Sequence, residues 1–251
     1  MQPQDLEPEF EELALRIVPG LAHEWRGATS AQIAQIEHIA GRPLPRFYRW
    51  FLRRMGDSMG PLAYPTLDFS AAKILSCYGE GMFEADPRFL LIGYERDEVM
   101  PLHVVYDFGH GARNDALVTK RHAVGGDLYD QFETFREMIA WGTFLRFKVV
   151  KLPQRCSGLL VAPPESGVLD RLDPVMRSLG FARPIASGPC CSLYEGPSAS
   201  MVTNCSPGIS GIHAFTIGGN DAGRLRRILG DIGSETELEL EIDEWTPPID
   251  S

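Results

Sequence analysis

WRGATSAQIAQIEHIAGRPLPRFYRWFLRRMGDSMG, residues 25–60, reads as two short helices joined by a Gly-Arg-Pro-Leu-Pro corner and closed by a glycine. Thr29 or Ser30 supplies a hydroxyl that can accept a free backbone N–H of the first turn. Over 31–40 the stripe Ile33, Ile36 and Ala40 predicts one buried face, and Gly41 suits the left-handed position past a helix end. Pro43 and Pro45 stiffen the corner, and Pro45 can open the next helix, where its missing donor costs little. Phe47, Trp50, Phe51 and Met55 then line a buried side flanked by Arg46, Arg49, Arg53 and Arg54. These arginines read as solvated helix flanks, with Arg53 and Arg54 near the negative end of the helix dipole. A phosphate patch is the alternative, but the Gly-rich and aromatic features that accompany one are missing. With no nucleophile, ligand set or phosphate loop, the stretch specifies a packed corner.

Upstream, EFEELALRIV (9–18) predicts a helix stopped by Pro19-Gly20. Downstream, 67–79 predicts a short helix with an N-cap at Ser70, and FLLIG (89–93), LHVVYDFG (102–109) and ALVTK (116–120) predict strands. Residues 127–141 predict one amphipathic helix with Leu128, Phe132, Phe135, Met138 and Ile139 on its apolar side. Helices first, then a strand meander closed by a helix, is α+β rather than alternating βαβ. Residues 151–167 carry three prolines and predict a linker between a domain at 1–150 and a smaller α+β domain at 168–251. The latter should hold a helix at 168–179, strands near 190–195, 199–204 and 212–218, a helix at 221–231 and a last strand at 236–243.

At 251 residues with 44% apolar side chains, the chain can bury a core. Its net charge of −10 divides equally between residues 1–150 and 151–251. An acidic surface repels nucleic acid and anionic lipid and favours basic partners. Five cysteines, Cys77, Cys156, Cys190, Cys191 and Cys205, show no CxxC or His-linked spacing, which points to a reducing compartment. The opening MQPQDLEPEFEE lacks an apolar leader, and no apolar run reaches the ~18–20 residues of a membrane span. The expectation is a cytoplasmic protein with no cofactor, no resident metal, no nucleic-acid partner and no membrane association.

The features of residues 25–150 resemble, in order, those of the SUKH superfamily, the fungal cell-wall regulator homologues and bacterial toxin-immunity proteins. Trp25, TSAQIAQIEHIAGRPLP (29–45), FYRWFLRRMG (47–56), FLLIGYERD (89–97), VVYDF (104–108), LVTK (117–120) and FETFREMI (132–139) carry the likeness. Glu37, Leu44, Pro45, Tyr48, Leu52, Gly56, Ile92, Gly93, Tyr106 and Asp107 stand where that pattern has like residues. Asp57-Ser58-Met59-Gly60 departs from its usual pair of glycines. The resemblance implies an α+β domain without catalytic activity and, for most bacterial members, an antitoxin that binds and blocks a cognate toxin. Binding residues in that family vary with the toxin, so none is carried over, and residues 151–251 lie outside the likeness.

Two acidic groups are candidate partner-binding sites. In ETELELEIDEW (235–245), alternation sends Leu238, Leu240 and Ile242 to one face and Glu237, Glu239, Glu241 and Asp243 to the other. Same-face carboxylates at ~6.6–6.8 Å could imitate a phosphate backbone and meet a basic toxin such as a nuclease; the competing reading is a charged, aggregation-resistant edge. Glu80, Glu84, Asp86, Glu95, Asp97 and Glu98 bracket the FLLIG strand in loops, with Met82, Phe83 and Tyr94 among them as apolar anchors or core residues. His103, His110 and His122 around Asp107 match no zinc or hydrolase spacing. Cys190, Cys191 and Cys205 have no sequence neighbour to lower a thiol pKa and read as structural. The favoured reading is an acidic, non-catalytic immunity protein that occludes its toxin. A regulatory adaptor of the same fold, or an enzyme with its site in the C-terminal domain, are the alternatives.

Overall fold

A computed structural model describes residues 8–99, 101–112, 115–164, 166–209 and 211–247. The first seven residues of the opening stretch read for a leader lie outside the described residues. The fold is α+β, with two antiparallel sheets of five strands each, and the chain divides into two compact units, Met1–Met138 and Ile139–Ser251.

The first unit begins with helices α1 (Pro8–Ile17), α2 (Leu21–Glu24), α3 (Ser30–Ala40) and α4 (Arg46–Met55). Thr29 caps α3 reciprocally: its hydroxyl accepts the Gln32 N–H at 3.2 Å, and Gln32 Oε1 accepts the Thr29 N–H at 2.9 Å. Gly41 ends α3 in the left-handed conformation at φ 62°. Backbone meets backbone behind α4, where the Ala28 N–H donates to the Leu52 carbonyl at 2.8 Å. A Cβ on Gly27 would lie 1.9 Å from the Arg53 carbonyl oxygen, so only glycine fits there. The buried side of α4 carries Phe47, Tyr48, Trp50, Phe51, Leu52 and Met55. Phe135 joins Phe51 at 5.0 Å and Tyr48 at 5.7 Å between ring centroids, both edge-on, the arrangement that aromatic quadrupoles favour. Two of the flanking arginines have carboxylate partners, Arg49 with Glu37 and Arg54 with Glu11.

After β1 (Leu67–Asp68) and α5 (Ala71–Gly79), capped by Ser70 as expected, come β2 (Phe89–Glu95), β3 (His103–Ala112), β4 (Asp115–Arg121) and β5 (Tyr129–Phe132). They form a meander in the order β1-β2-β3-β4-β5. The helix expected over 127–141 is corrected at its start. Tyr129–Phe132 pairs with β4, Leu128 is exposed, and α6 is Phe135–Phe144. The cause is capping by one near and one distant side chain: Thr134 Oγ1 accepts the Glu137 N–H at 3.2 Å and Asp115 Oδ2 accepts the Phe135 N–H at 3.1 Å. A π-helical turn, Leu145–Val149, follows α6.

The second unit holds β6 (Gln154–Val161), α7 (Val168–Ser178), β7 (Cys191–Glu195), β8 (Ala199–Asn204), β9 (Ile212–Gly219), α8 (Ala222–Glu235) and β10 (Glu239–Thr246), with strand order β10-β6-β9-β8-β7. The expected linker at 151–167 is corrected, because 154–161 is an inner strand of this sheet. Pro153, Pro163 and Pro164 flank the strand and leave its ladder donors intact. One sheet face packs Leu160, Met201, Phe215 and Ile217 with Leu172 and Met176 of α7 and Leu225 and Ile232 of α8.

Candidate functional site

Part of the acidic group that brackets β2 forms a groove. A cavity of about 580 Å3 is lined by Tyr78, Phe89, Leu91, Val105 and Ala123, with Met82, Glu84, Asp86, Arg121 and Val124 also around it. The apolar lining comes from β2 and β3, where alternation sends Phe89, Leu91 and Val105 to one face. Met82 and Val124 are exposed, Val124 almost completely (99%). Across from the acids, the Arg121 guanidinium lies 4.5 Å from the Phe89 ring centroid, an arrangement that lets the cation keep its charge beside apolar surface. The groove thus offers apolar contact area together with both signs of charge.

The other expected anchors and acids are used differently. Phe83 is buried and lines the groove beside Leu91 and Val105, whereas Glu95 is buried and Tyr94 is half-buried beneath the Lys73 ammonium, 4.0 Å from its ring centroid. Several acids hold the chain's own loops. Asp86 Oδ1 accepts the Arg88 N–H at 2.7 Å, Glu95 Oε1 the Asp97 N–H at 3.2 Å, and Asp97 Oδ1 the Val99 N–H at 2.9 Å. Glu80 Oε1 accepts the Ser76 hydroxyl at 2.5 Å. Glu84 and Glu98 are exposed.

The histidines flanking Asp107 do not converge. His103 is buried between Phe83 and Tyr94, its Nδ1 accepting the Glu95 N–H at 3.1 Å, and burial lowers its pKa. Asp107 instead receives Arg88 through two bonds at 2.8 and 2.7 Å, the Gly109 N–H at 2.8 Å and His110 at 2.9 Å. The Arg88 bond holds the Asp107 carboxyl down at about 2. This arrangement clamps the end of a hairpin. Among the described residues no group of three or more His, Cys, Asp or Glu is arranged to hold a metal ion.

The second acidic group lies on the sheet edge. Glu239, Glu241 and Asp243 are exposed on β10, whereas Glu237 precedes the strand and pairs with Arg171 at 2.7 Å. The simple alternation expected across 235–245 is interrupted: the register against β6 slips by one between Ile242 and Glu244. Asp243 is the extra residue of this bulge, and Trp245 thereby turns back to pack on the core beside Leu240. The uninterrupted outward row is Glu239 and Glu241, with Glu244 resuming that face beyond the bulge.

A third cluster was not visible in sequence spacing. Cys191 pairs with Asn204 and Asn204 with Ala214, so the next row of the sheet aligns Cys190, Cys205 and His213 across β7, β8 and β9. Strand pairing supplies the basic neighbour that the local sequence of Cys205 lacks. The only sequence clue is parity, since His213 shares its face with Phe215 and Ile217. No helix among the described residues is long and apolar enough to cross a membrane. Compared with known proteins, the chain matches no family model and no curated protein.

Proposed function

We propose that this chain is a non-catalytic binding protein acting in the cytosol, and that its partner is a cognate toxin with a basic surface. The observation that carries this reading is the groove of about 580 Å3, whose apolar lining of Phe89, Leu91 and Val105 lies beside Met82, Val124, Glu84 and Asp86. An apolar side chain of the partner inserts against the lining while a neighbouring Lys or Arg meets Glu84. Such a contact puts a desolvated anchor inside a polar rim, where binding energy concentrates. Occlusion of the toxin's active site needs no bond made or broken. The ordered resemblance of residues 25–150 to the SUKH superfamily supports the same reading, and the net charge of −10 favours a basic partner over nucleic acid.

The test is calorimetry at low and high salt with the toxin candidate encoded beside this gene. Wild type should bind tightly and more weakly as salt rises. Met82→Asp should weaken binding by at least about tenfold, the loss expected for a central apolar contact, and Glu84→Lys should flatten the salt dependence. Undiminished binding by both variants would remove the groove from the interface. Absence of binding to any neighbouring gene product would overturn the cognate-toxin reading.

A further inference from the structure

Two thiols and an imidazole share one row of the second sheet. Cys190 immediately precedes β7 and Cys205 immediately follows β8, and the Cys205 N–H donates to the Cys190 carbonyl at 2.9 Å. They are therefore directly opposed as a hydrogen-bonded antiparallel pair, for which the Cα separation is about 5.5 Å. That lies inside the range of about 4.4–6.8 Å spanned by disulfides. Side-chain alternation puts both on the same face: Tyr194 of β7 and Met201 of β8, at matching parity, lie in the core cluster. Cys191 has the opposite parity and points to the other face, so the adjacent thiol is not the natural partner of Cys190.

The row is chemically biased as well as aligned. The Cys190 thiol hydrogen-bonds the Cys205 sulfur, the His213 ring does so too, and together they draw the Cys205 pKa below the usual thiol range despite burial. The His213 ring is held in place by Thr203 Oγ1, 3.4 Å from its Nδ1. Cys205 is 7% exposed and Cys190 more so. The pair lies at the end of the ladder, beside the turn in which the Ile209 N–H donates to the Ser206 carbonyl at 3.0 Å. By contrast, burial raises the thiols of Cys77 and Cys156.

We propose that Cys190 and Cys205 are an oxidisable dithiol that small peroxides convert to a cross-strand disulfide, with His213 as the positioning residue. The Cys205 thiolate attacks one peroxide oxygen. An S–O bond forms, the O–O bond breaks, and the departing hydroxide takes a proton from solvent to become water. Cys190 then loses its proton and attacks the sulfenic sulfur. The S–S bond forms, the S–O bond breaks, and the departing hydroxide leaves with that proton as a second water. Two thiols lose two electrons in all, and one hydrogen peroxide is reduced to two waters. The product ties edge strand β7 covalently to β8.

The experiment treats the reduced full chain with a small excess of hydrogen peroxide, quenches by alkylation and maps the peptides. A Cys190–Cys205 cross-link should form while Cys77, Cys156 and Cys191 remain alkylated. Cys190→Ser should stop at a sulfenic acid on Cys205 that dimedone captures, and Cys205→Ser should abolish the cross-link. His213→Asn should slow oxidation on the order of tenfold at neutral pH, since only the thiolate reacts. Should that variant misfold, the pH profile of Cys205 alkylation in wild type serves instead: its midpoint should lie below that of Cys77. A Cys190–Cys191 bond, oxidation of Cys205 no faster than of Cys77, or a Cys205 alkylation midpoint in the ordinary thiol range would each overturn the proposal.

Discussion

The two acidic regions resemble each other in composition and differ in what the fold does with them. Around β2, Asp86, Glu95 and Asp97 accept backbone N–H groups of their own loops, and Glu95 is buried. Along β10, Glu239, Glu241 and Asp243 stand exposed on an edge strand. An acid that lies two residues before a loop N–H tends to be used by that loop, because Asp and Glu oxygens satisfy turn donors that no ladder supplies. An acid at alternate positions of a strand has no such local partner and stays outward. Density of charge in the sequence therefore overstates the binding surface near β2, where Glu84 beside the groove carries more of the argument than the number of carboxylates.

The strongest way to break this contrast is to remove the apolar lining of the groove. Leu91 is fully buried, so Leu91→Ala should cost about 2–5 kcal/mol in urea denaturation. A loss well under that range would mean the lining is not core. On the other side, a Cβ at Gly158 would lie 1.9 Å from the Glu241 carbonyl oxygen of β10. Gly158→Ala should cost about 1–3 kcal/mol through overpacking and speed hydrogen exchange along β10. Unchanged exchange there would show the edge strand to be held elsewhere.

A subtler measurement separates acids working inside the first sheet. Arg88 holds Asp107 down at about 2, so its contribution to stability is full above about pH 4 and is lost as pH falls toward 2. Burial raises Asp115 to about 6, so the folded state binds the extra proton between about 4 and 6. Its contribution accordingly has the opposite sign, present at low pH and lost as pH rises through about 6. Carboxyl NMR titration should give midpoints near these two values; coincident midpoints would remove the distinction. The smallest effect on stability belongs to β10, where Glu239→Lys with Glu241→Lys should change it by no more than about 0.5 kcal/mol per site. If β10 joins the groove in meeting a basic partner, the same pair of changes weakens binding and its salt dependence without altering the fold.

Most of the scaffold was legible because its signals are local. The Thr29–Gln32 box, Gly41, Ser70 and the period of α4 all act within a turn or two of the residue that reveals them. β7, β8, β9 and β10 of the second unit fall within a few residues of their expected positions. Errors arose where distant groups decided. Phe132 and Phe135 share a helical spacing, yet Asp115, twenty residues upstream, caps Phe135 and starts the helix there. Three prolines disguised β6 as a linker because all three fall just outside its ladder. The groove is legible only in part: Met82, Phe83, Glu84 and Asp86 lie together in the sequence, but Arg121 and Val124 arrive from β4 and the turn after it. The Cys190–Cys205–His213 row depends on register across three strands, which residue spacing alone does not encode.

The bulge at Asp243 divides ELEIDEW into two reading frames. Before it, Leu238 and Leu240 pack on the core while Ile242, expected to join them, is left exposed; after it, Trp245 rather than Glu244 packs there. Deleting Asp243 should leave a regular ladder in which Glu244 still pairs with Ser157 and faces out and Trp245 still pairs with Cys156 and faces in, so the extra residue sets the local twist of the edge and not which of these side chains points inward. The edge that looks most permissive by exposure is therefore also a place where one residue can be lost without exchanging the two faces of the strand.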